Sequence, residues 1–295
     1  MPHKTEALVT LLAPGVFVVL WASGFIGARL GLPHVEPLTF LTLRMGAVVA
    51  LMAVVIVVTR PPWPGGAAIR HSVVAGLLMH GGYLGGVFIA IDRKLPVGLT
   101  ALIVGLQPIL VSTLANRVLG ERVTPRQWGG LALGILGVYL IVQDKTAGEQ
   151  AGLLAWAAVV TALLSITGGT LYQKRHGGDI DWRSAFLVQY ASAGAVFAAG
   201  ALLFETRVVA WTGELVFALA WLVLVLSLGA VWLLYFLIRR AAASRISSLF
   251  YLTPPATAVM AWALFGERLG PVALVGMGIC VAGVFLVNVK ARTAG

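Results

Sequence analysis

Charged residues are scarce in this chain, and their scarcity excludes an ordinary soluble domain. Only 11% of the 295 residues are Asp, Glu, Lys or Arg, whereas a soluble domain has about 25%. Hydrophobic residues make up 59% of the chain, and the mean hydropathy is +0.95. A helix needs about 20 apolar residues to span the hydrocarbon core, so the length allows about ten spans with short connections.

Cysteine, metal-binding motifs and nucleotide-binding loops are also missing or nearly so. The single cysteine, Cys280, cannot form an internal disulfide or a Cys–His metal cluster. The chain has no ATP-binding Gly-x-x-x-x-Gly-Lys-Ser/Thr loop and no zinc-binding His-Glu-x-x-His motif. We therefore expect no cofactor, no metal and no catalytic residues. The net charge of +10 lies in short connections rather than on one basic face, so nucleic acid is not an expected partner.

Ten apolar runs are present, and each predicts a transmembrane helix, because lipid forces the backbone to satisfy its own hydrogen bonds. The runs are 8–29, 38–58, 71–91, 98–119, 125–143, 151–173, 183–203, 215–238, 244–265 and 270–289. The first run is too long for a signal peptide and lacks a convincing cleavage site, so we expect it to be retained. The predicted fold class is an all-α integral membrane protein of ten transmembrane helices.

Lysine and arginine are unevenly distributed between the connections on the two sides. If the N-terminus is cytoplasmic, the cytoplasmic connections hold more than twice as many of these residues as the external ones. Positive charge is enriched in cytoplasmic loops of membrane proteins. The bias predicts a multi-pass protein of the bacterial inner membrane with both termini in the cytoplasm.

An internal repeat relates the two halves of the chain. Residues 98–141 match residues 244–287 at a constant offset of 146. The matches that apolar composition does not explain are Pro108/Pro254, Gly120-Glu121-Arg122/Gly266-Glu267-Arg268, Pro125/Pro271, Gly130/Gly276 and Gly137/Gly283. Each half, 8–143 and 151–290, holds five helices, an odd number, so the halves are two inverted five-helix repeats. Inverted repeats provide opposed gates around a midplane site in many transporters.

Several short motifs carry a family resemblance that covers nearly the whole chain. They are Trp21-Ala-Ser-Gly-Phe25, Leu43-Arg44, Leu106-Gln-Pro108, Gly120-Glu-Arg122, Trp232-Leu-Leu-Tyr-Phe236, Ala243-Ser244-Arg245, Leu252-Thr-Pro254 and Gly266-Glu-Arg268. At these residues the chain resembles the drug/metabolite transporter superfamily, in its EamA-type branch. The resemblance implies a secondary transporter that exports small organic metabolites by alternating access. Exporters of the YddG type, which carry aromatic and other neutral amino acids, are the preferred analogy.

Candidate substrate-cavity residues combine polarity or an aromatic ring with a place inside an apolar run. Pro108 and Pro254 each remove a backbone donor in mid-span, and the resulting kinks either shape packing alone or line the substrate path. His80 and Tyr83 are three positions apart and share a helix face; His80 either lines the cavity or is a hydrogen-bonded structural residue. The other candidates are Trp21, Phe25, Gln107, Thr167, Gln173, Trp232, Tyr235, Tyr251 and Thr253.

Charged residues near the helix ends have separate expected roles. Arg44 lies two turns into the second run and either snorkels outward or binds a substrate carboxylate. Glu121, Arg122, Glu267 and Arg268 are expected to form gates or latches at the two mouths. No acidic residue lies in mid-span, whereas proton-coupled carriers commonly use buried carboxylates. Downhill facilitation or exchange is therefore at least as well supported as proton coupling.

Two alternatives to an amino-acid exporter remain at this point. The chain either exports drug-like compounds or other metabolites, or it is an integral membrane enzyme that acts on lipid. The polar group nearest to an enzyme site is Asp179–Asp181–Arg183, which reads more simply as a solvated turn. The expected partners are a small-molecule substrate and the bilayer, with the protein a monomer or a weak homo-oligomer.

Overall fold

The computed structural model describes residues 2–95, 100, 103–143, 151–178, 180–266 and 270–288. The first repeat contains α1 (Pro2–Gly31), α2 (Pro37–Thr59), α3 (Gly66–Asp92), α4 (Gln107–Leu119) and α5 (Pro125–Val142). The second contains α6 (Leu153–His176), α7 (Trp182–Phe204), α8 (Gly213–Arg240), α9 and α10 (Pro271–Asn288). Helix α9 consists of Ala243–Ser248, a 3-10 turn at Leu249–Leu252, and Thr253–Phe265. These helices confirm the predicted all-α membrane fold.

The helices differ in how well each could cross a membrane alone. Within the described ranges, seven are long and apolar enough, including Leu12–His34, which comprises most of α1 and the 3-10 turn after it. The other three are α4, with 13 residues, α5, and the interrupted α9. Short or broken helices in corresponding positions of the two repeats are typical of transporters.

Prolines explain why the fourth helix is shorter than the apolar run that predicted it, and why the ninth is interrupted. Pro108 lies in the first turn of α4, where the missing proline N–H requires no partner. A turn at 105–106 precedes it, and the 3-10 turn precedes Pro254 in α9. Each proline therefore starts a new helical segment instead of bending a continuous helix.

The inverted repeat is visible in the seam between α5 and α10. A Cβ atom added at Gly130 would lie 2.6 Å from the carbonyl oxygen of Gly283, and one added at Gly137 would lie 2.6 Å from that of Gly276. The offset of 146 converts the first contact into that between a Cβ atom added at Gly276 and the carbonyl oxygen of Gly137, at 2.7 Å. Cys280 Sγ lies 3.6 Å from the carbonyl oxygen of Gly134, its own repeat counterpart. A pseudo-two-fold axis therefore passes through this seam, as two inverted halves require.

We call the face that carries connections 32–36 and 205–212 the distal face. There, the Glu205 carboxylate accepts hydrogen bonds from the backbone N–H groups of Leu38 and Thr39, at 2.7 Å each. Glu36 accepts 2.6 Å and 2.9 Å bonds from Thr206 Oγ1 and the Arg207 N–H. The bond from Thr206 lowers the pKa of Glu36. The two connections are thus clamped together by reciprocal carboxylates.

The opposite, proximal face carries connections 60–65, 120–124, 177–181 and 241–242. Glu121 accepts hydrogen bonds from the Ala243 N–H, at 2.9 Å and 3.2 Å, and so caps the start of α9. Lys174 Nζ donates to the carbonyl oxygens of Ile238 and Ala241 at 2.6 Å and 2.7 Å, and so caps the end of α8. Charged side chains therefore join α4, α6, α8 and α9 at this face.

Candidate substrate cavity

A cavity with an empty volume of about 550 Å³, including its mouth, lies between α1, α2, α3 and α8. Its deep end is formed by Met79 and His80, and its lining reaches Ala28 and Ile91 near the distal ends of α1 and α3. The cavity therefore runs from the middle of the bundle toward the distal face.

Irregular helical turns place the polar wall of the cavity. Helix α3 widens into a π-helical turn at Leu77–Gly82, and α8 does the same at Leu222–Ala230. Such turns are frequent at functional sites, since they rotate side chains away from their regular positions. Gly82 and Gly86 hold α3 against α6, because a Cβ atom at either position would collide with Ser165 or Ala158. The close packing fixes the orientation of His80 and Tyr83.

Arg44 is the charged residue in the lining. Its side chain is buried, with the residue 2% exposed, so it does not snorkel to the membrane surface. Nε donates a 3.0 Å hydrogen bond to Ser227 Oγ, and Tyr190 OH donates a 2.6 Å bond to the Ser227 carbonyl oxygen. Among the described residues, no carboxylate lies within ion-pair distance of the guanidinium. The arginine therefore faces the cavity without a counter-ion from this part of the chain.

Aromatic rings surround the arginine. His80, 4% exposed, stacks on Tyr190 with ring centroids 4.3 Å apart, and its Nε2 has no partner among the described residues. Trp21 stacks on Tyr83 at 6.2 Å and meets Phe250 edge-on at 5.2 Å. The cavity thus offers one cation, one unpartnered imidazole nitrogen and flat apolar walls.

The structure brings five of the predicted residues, Trp21, Phe25, Arg44, His80 and Tyr83, into this single lining. The remaining candidates lie elsewhere. Gln107 Nε2 donates to Thr170 Oγ1 at 3.3 Å, and Thr167 Oγ1 donates back to the Leu163 carbonyl oxygen at 2.7 Å. Pro108 and Thr253 are buried and Pro254 is half-buried, all outside the lining.

Three aromatic candidates also lie outside the lining. Trp232 is 37% exposed and stacks on Phe236. It lies outside the lining because one residue turns a helix by about 100°, and Val231 takes the cavity-facing position. Tyr235 donates its hydroxyl hydrogen to Gln189 Oε1, behind the cavity wall. Tyr251 is fully buried and packs against Gly134.

The four gate candidates, Glu121, Arg122, Glu267 and Arg268, also lie outside the cavity lining or outside the described residues. Glu121 caps α9 as described above, and Arg122 is exposed. Gly120 and Gly266 end α4 and α9 with φ of 70° and 65°, a left-handed conformation that favours glycine. Glu267 and Arg268 lie outside the described residues.

Sequence reasoning missed part of the wall and its support. Met79, Phe88 and Leu226 line the cavity as ordinary apolar residues, and no sequence signal separates them from their neighbours. Tyr190 and Ser227 support Arg44 from behind. The sequence could have indicated Tyr190 and Ser227 as candidates, since each is a polar residue inside an otherwise apolar run.

In the part of the chain that the structure describes, ten helices in two inverted repeats surround a cavity that is open at its mouth, an architecture typical of secondary membrane transporters. Residues 9–143 and 153–289 each match the EamA-like transporter family, and the chain belongs to that family. It is therefore a multi-pass transporter of the inner membrane that binds a small-molecule substrate.

Individual relatives agree with this class. The chain is 24% identical to a "Probable amino-acid metabolite efflux pump" of Salmonella typhimurium, over 91% of both chains; the match to the Escherichia coli protein of that name, at 28% identity, spans only 54% of this chain and 51% of that protein. It is 31% identical to a "Probable terminal-alkyne amino-acid exporter" of Streptantibioticus cattleyicolor, over 92% of this chain and 90% of that one. A solved crystal structure, 16% identical, superposes with a TM-score of 0.78 over 94% of this chain and 96% of its own, which shows the fold alone.

Proposed function

We propose that this protein exports neutral or aromatic amino acids and close relatives across the inner membrane, by alternating access, with Arg44 binding the substrate carboxylate. The observation that carries the proposal is a buried arginine, without a counter-ion among the described residues, in the wall of a 550 Å³ cavity. An unpaired charge in a low-dielectric interior is costly. A bound carboxylate removes that cost, because its two oxygens accept hydrogen bonds from the planar guanidinium.

The remaining walls fit the other parts of such a substrate. The rings of Trp21, Phe25 and Phe88 provide a flat apolar surface for an aromatic or aliphatic side chain. The unpartnered Nε2 of His80 is available to a substrate ammonium or carboxylate. The names of the relatives, an amino-acid metabolite efflux pump and an amino-acid exporter, support the same substrate class.

The test is substrate binding and counterflow with purified protein in liposomes. We expect wild-type protein to prefer an amino acid over its carboxamide and over the amine that lacks the carboxyl group. Arg44→Gln should weaken binding of the acid by about 10- to 100-fold and erase that preference, as loss of a charge-assisted hydrogen bond predicts. Arg117→Gln, on the exposed surface of α4, is the matched control. Equal transport of acid and amine by the wild type would refute carboxylate recognition, and selective transport of drug-like cations would favour the alternative substrate class.

The proposed orientation places both termini in the cytoplasm and the distal face in the periplasm. The charge bias supports this orientation, since the proximal connections and helix ends are rich in Lys and Arg. A reporter enzyme fused to the C-terminus should show cytoplasmic activity. Periplasmic activity of the fusion would reverse the assignment of the two faces.

A further inference from the structure

A second, smaller pocket of about 190 Å³ lies at the proximal ends of α3, α6 and α7. Its lining includes Ser72, Gln173, His176 and Gln189, together with His71 and Tyr172. The His71 ring lies 4.5 Å from the His176 ring, and His71 Nδ1 lies 2.7 Å from the Tyr172 hydroxyl. None of these residues lines the distal cavity.

The pocket occupies the position that the inverted repeat assigns to a counterpart of the distal cavity. Helices α1, α2 and α8 of the distal wall correspond to α6, α7 and α3, the helices around the proximal pocket. Helix α2 runs from Pro37 to Thr59 and α7 from Trp182 to Phe204, 23 residues each. The repeat offset of 146 places Tyr190 of α7 opposite Arg44 of α2, and Gln189, the residue before Tyr190, lines the proximal pocket.

We propose that the proximal pocket is a second station on the substrate path, and that the Gln189 amide binds the substrate carboxylate there when the protein opens to the proximal face. The proposal rests on the proposed function. A side-chain amide donates two hydrogen bonds, so it can hold a carboxylate, more weakly than a guanidinium does. In the present structure Gln189 is instead occupied by protein: its Oε1 accepts from Tyr235 OH, and its Nε2 lies 3.4 Å from Gln173 Oε1.

A buried hydroxyl without a partner among the described residues also lines this pocket. Ser72 lines the pocket and is 1% exposed, yet its Oγ has no hydrogen-bond partner among the described residues. A buried hydroxyl without a partner is unfavourable. A polar group that enters the pocket would provide that partner.

Two neighbouring residues of α7, Gln189 and Tyr190, lie beside different compartments. Tyr190 supports the distal cavity, with its ring on His80 and its hydroxyl on the Ser227 carbonyl oxygen. The preceding residue, Gln189, lines the proximal pocket. A substrate carboxylate at the proximal station would accept hydrogen bonds from Gln189 Nε2 and would therefore displace this nitrogen from Gln173 Oε1.

Thiol labelling tests the pocket directly, since Cys280 is the only cysteine. In a Cys280→Ala background, we expect Ser72→Cys to react with a membrane-impermeant thiol reagent added at the proximal side, and saturating amino acid to slow the reaction. Ser112→Cys is the matched control, because Ser112 is an equally buried serine on α4 outside both pockets. An unreactive Ser72→Cys, or labelling that substrate does not change, would overturn the proposal.

Transport by Gln189→Leu provides the second test. We expect counterflow to fall about 10-fold, the effect of losing a hydrogen bond from a neutral amide to a charged carboxylate. Binding to the distal cavity, measured by quenching of tryptophan fluorescence, should change less than about twofold. Wild-type counterflow by Gln189→Leu would refute the second station while leaving the proposed function intact. Absence of amino-acid binding by the wild type would refute the proposed function itself, and the labelling result remains informative if Gln189→Leu does not fold.

Discussion

The distal and proximal halves of the bundle are built from the same repeat but differ in what occupies the space between their helices. The distal cavity has an empty volume of about 550 Å³ beside an arginine without a counter-ion in the described chain. The proximal pocket has an empty volume of about 190 Å³ beside hydrogen-bonded amides, and both volumes include the open mouths. At the proximal face, Lys174 and Glu121 tie α6 to α8 and α4 to α9. The distal carboxylates of Glu36 and Glu205 join the connections of α1–α2 and α7–α8. The two halves therefore differ in the space between their helices, whereas charged side chains bridge connections at both faces.

The seam between α5 and α10 belongs to both halves, so damage there should affect the whole protein. Gly130→Ala would bring a Cβ atom within 2.6 Å of the Gly283 carbonyl oxygen, which is backbone and cannot move aside cheaply. We expect a loss of about 1–3 kcal/mol of stability or more, seen as a lower melting midpoint in detergent and less folded protein. Gly129→Ala is the control, because its nearest neighbour, Leu286 Cδ2, would lie 3.7 Å away. Equal midpoints for the two variants would show that the seam is not tightly packed.

The distal cavity should depend on His80 through binding and not through proton transport. His80→Ala removes the unpartnered Nε2 and the ring that stacks on Tyr190, so we expect about 3- to 10-fold weaker substrate binding. Tyr83→Ala should act in the same direction, whereas His34→Ala, at the distal surface beside Glu214, is the control. The measurement is counterflow with and without an imposed pH gradient, which we expect to have little effect. Uphill accumulation that follows the gradient and vanishes in His80→Ala would make His80 a proton carrier.

The two sets of helix-end carboxylates should act on one face each. Glu121→Ala removes the cap of α9, and Glu205→Ala removes the cap of α2, each at a cost of about 0.5–2 kcal/mol. Hydrogen exchange should accelerate at the Ala243 amide in the first variant and at the Leu38 and Thr39 amides in the second. Accelerated exchange at both faces in either variant would indicate that the clamps are coupled.

The sequence was sufficient to predict features that follow from periodicity and repetition. The ten helices, their inversion and the shared face of His80 and Tyr83 depend on apolar run length and on spacing, which are visible in one dimension. The rotation of each helix about its own axis cannot be predicted from run length and spacing. Val231 rather than Trp232 lines the cavity because a π-helical turn precedes them in α8. Thr167 turns its hydroxyl to its own backbone, a choice that depends on the neighbouring helix surfaces.

Acid should weaken both faces slightly through two carboxylates with lowered pKa values. The hydrogen bond from Thr206 lowers the pKa of Glu36 at the distal face, and the one from Arg183 lowers the pKa of Asp181 at the proximal face. A carboxylate with a depressed folded-state pKa stabilises the protein above its unfolded pKa, about 4 for these residues, and loses that effect as pH falls through the folded value. Stability should therefore be constant near pH 6 and decline below about pH 4.

The decline should be small, because both carboxylates are near the surface, where water and salt screen them. Melting midpoints recorded from pH 6 to below pH 4 should fall less in Glu36→Gln and in Asp181→Asn than in the wild type. Asp181→Asn retains a side-chain oxygen that can cap α7, so its midpoint near pH 6 should remain close to that of the wild type. Raising the salt concentration should flatten the wild-type curve toward those of the variants. A wild-type curve that rises on acidification would show that a buried group, rather than these two carboxylates, controls the acid response.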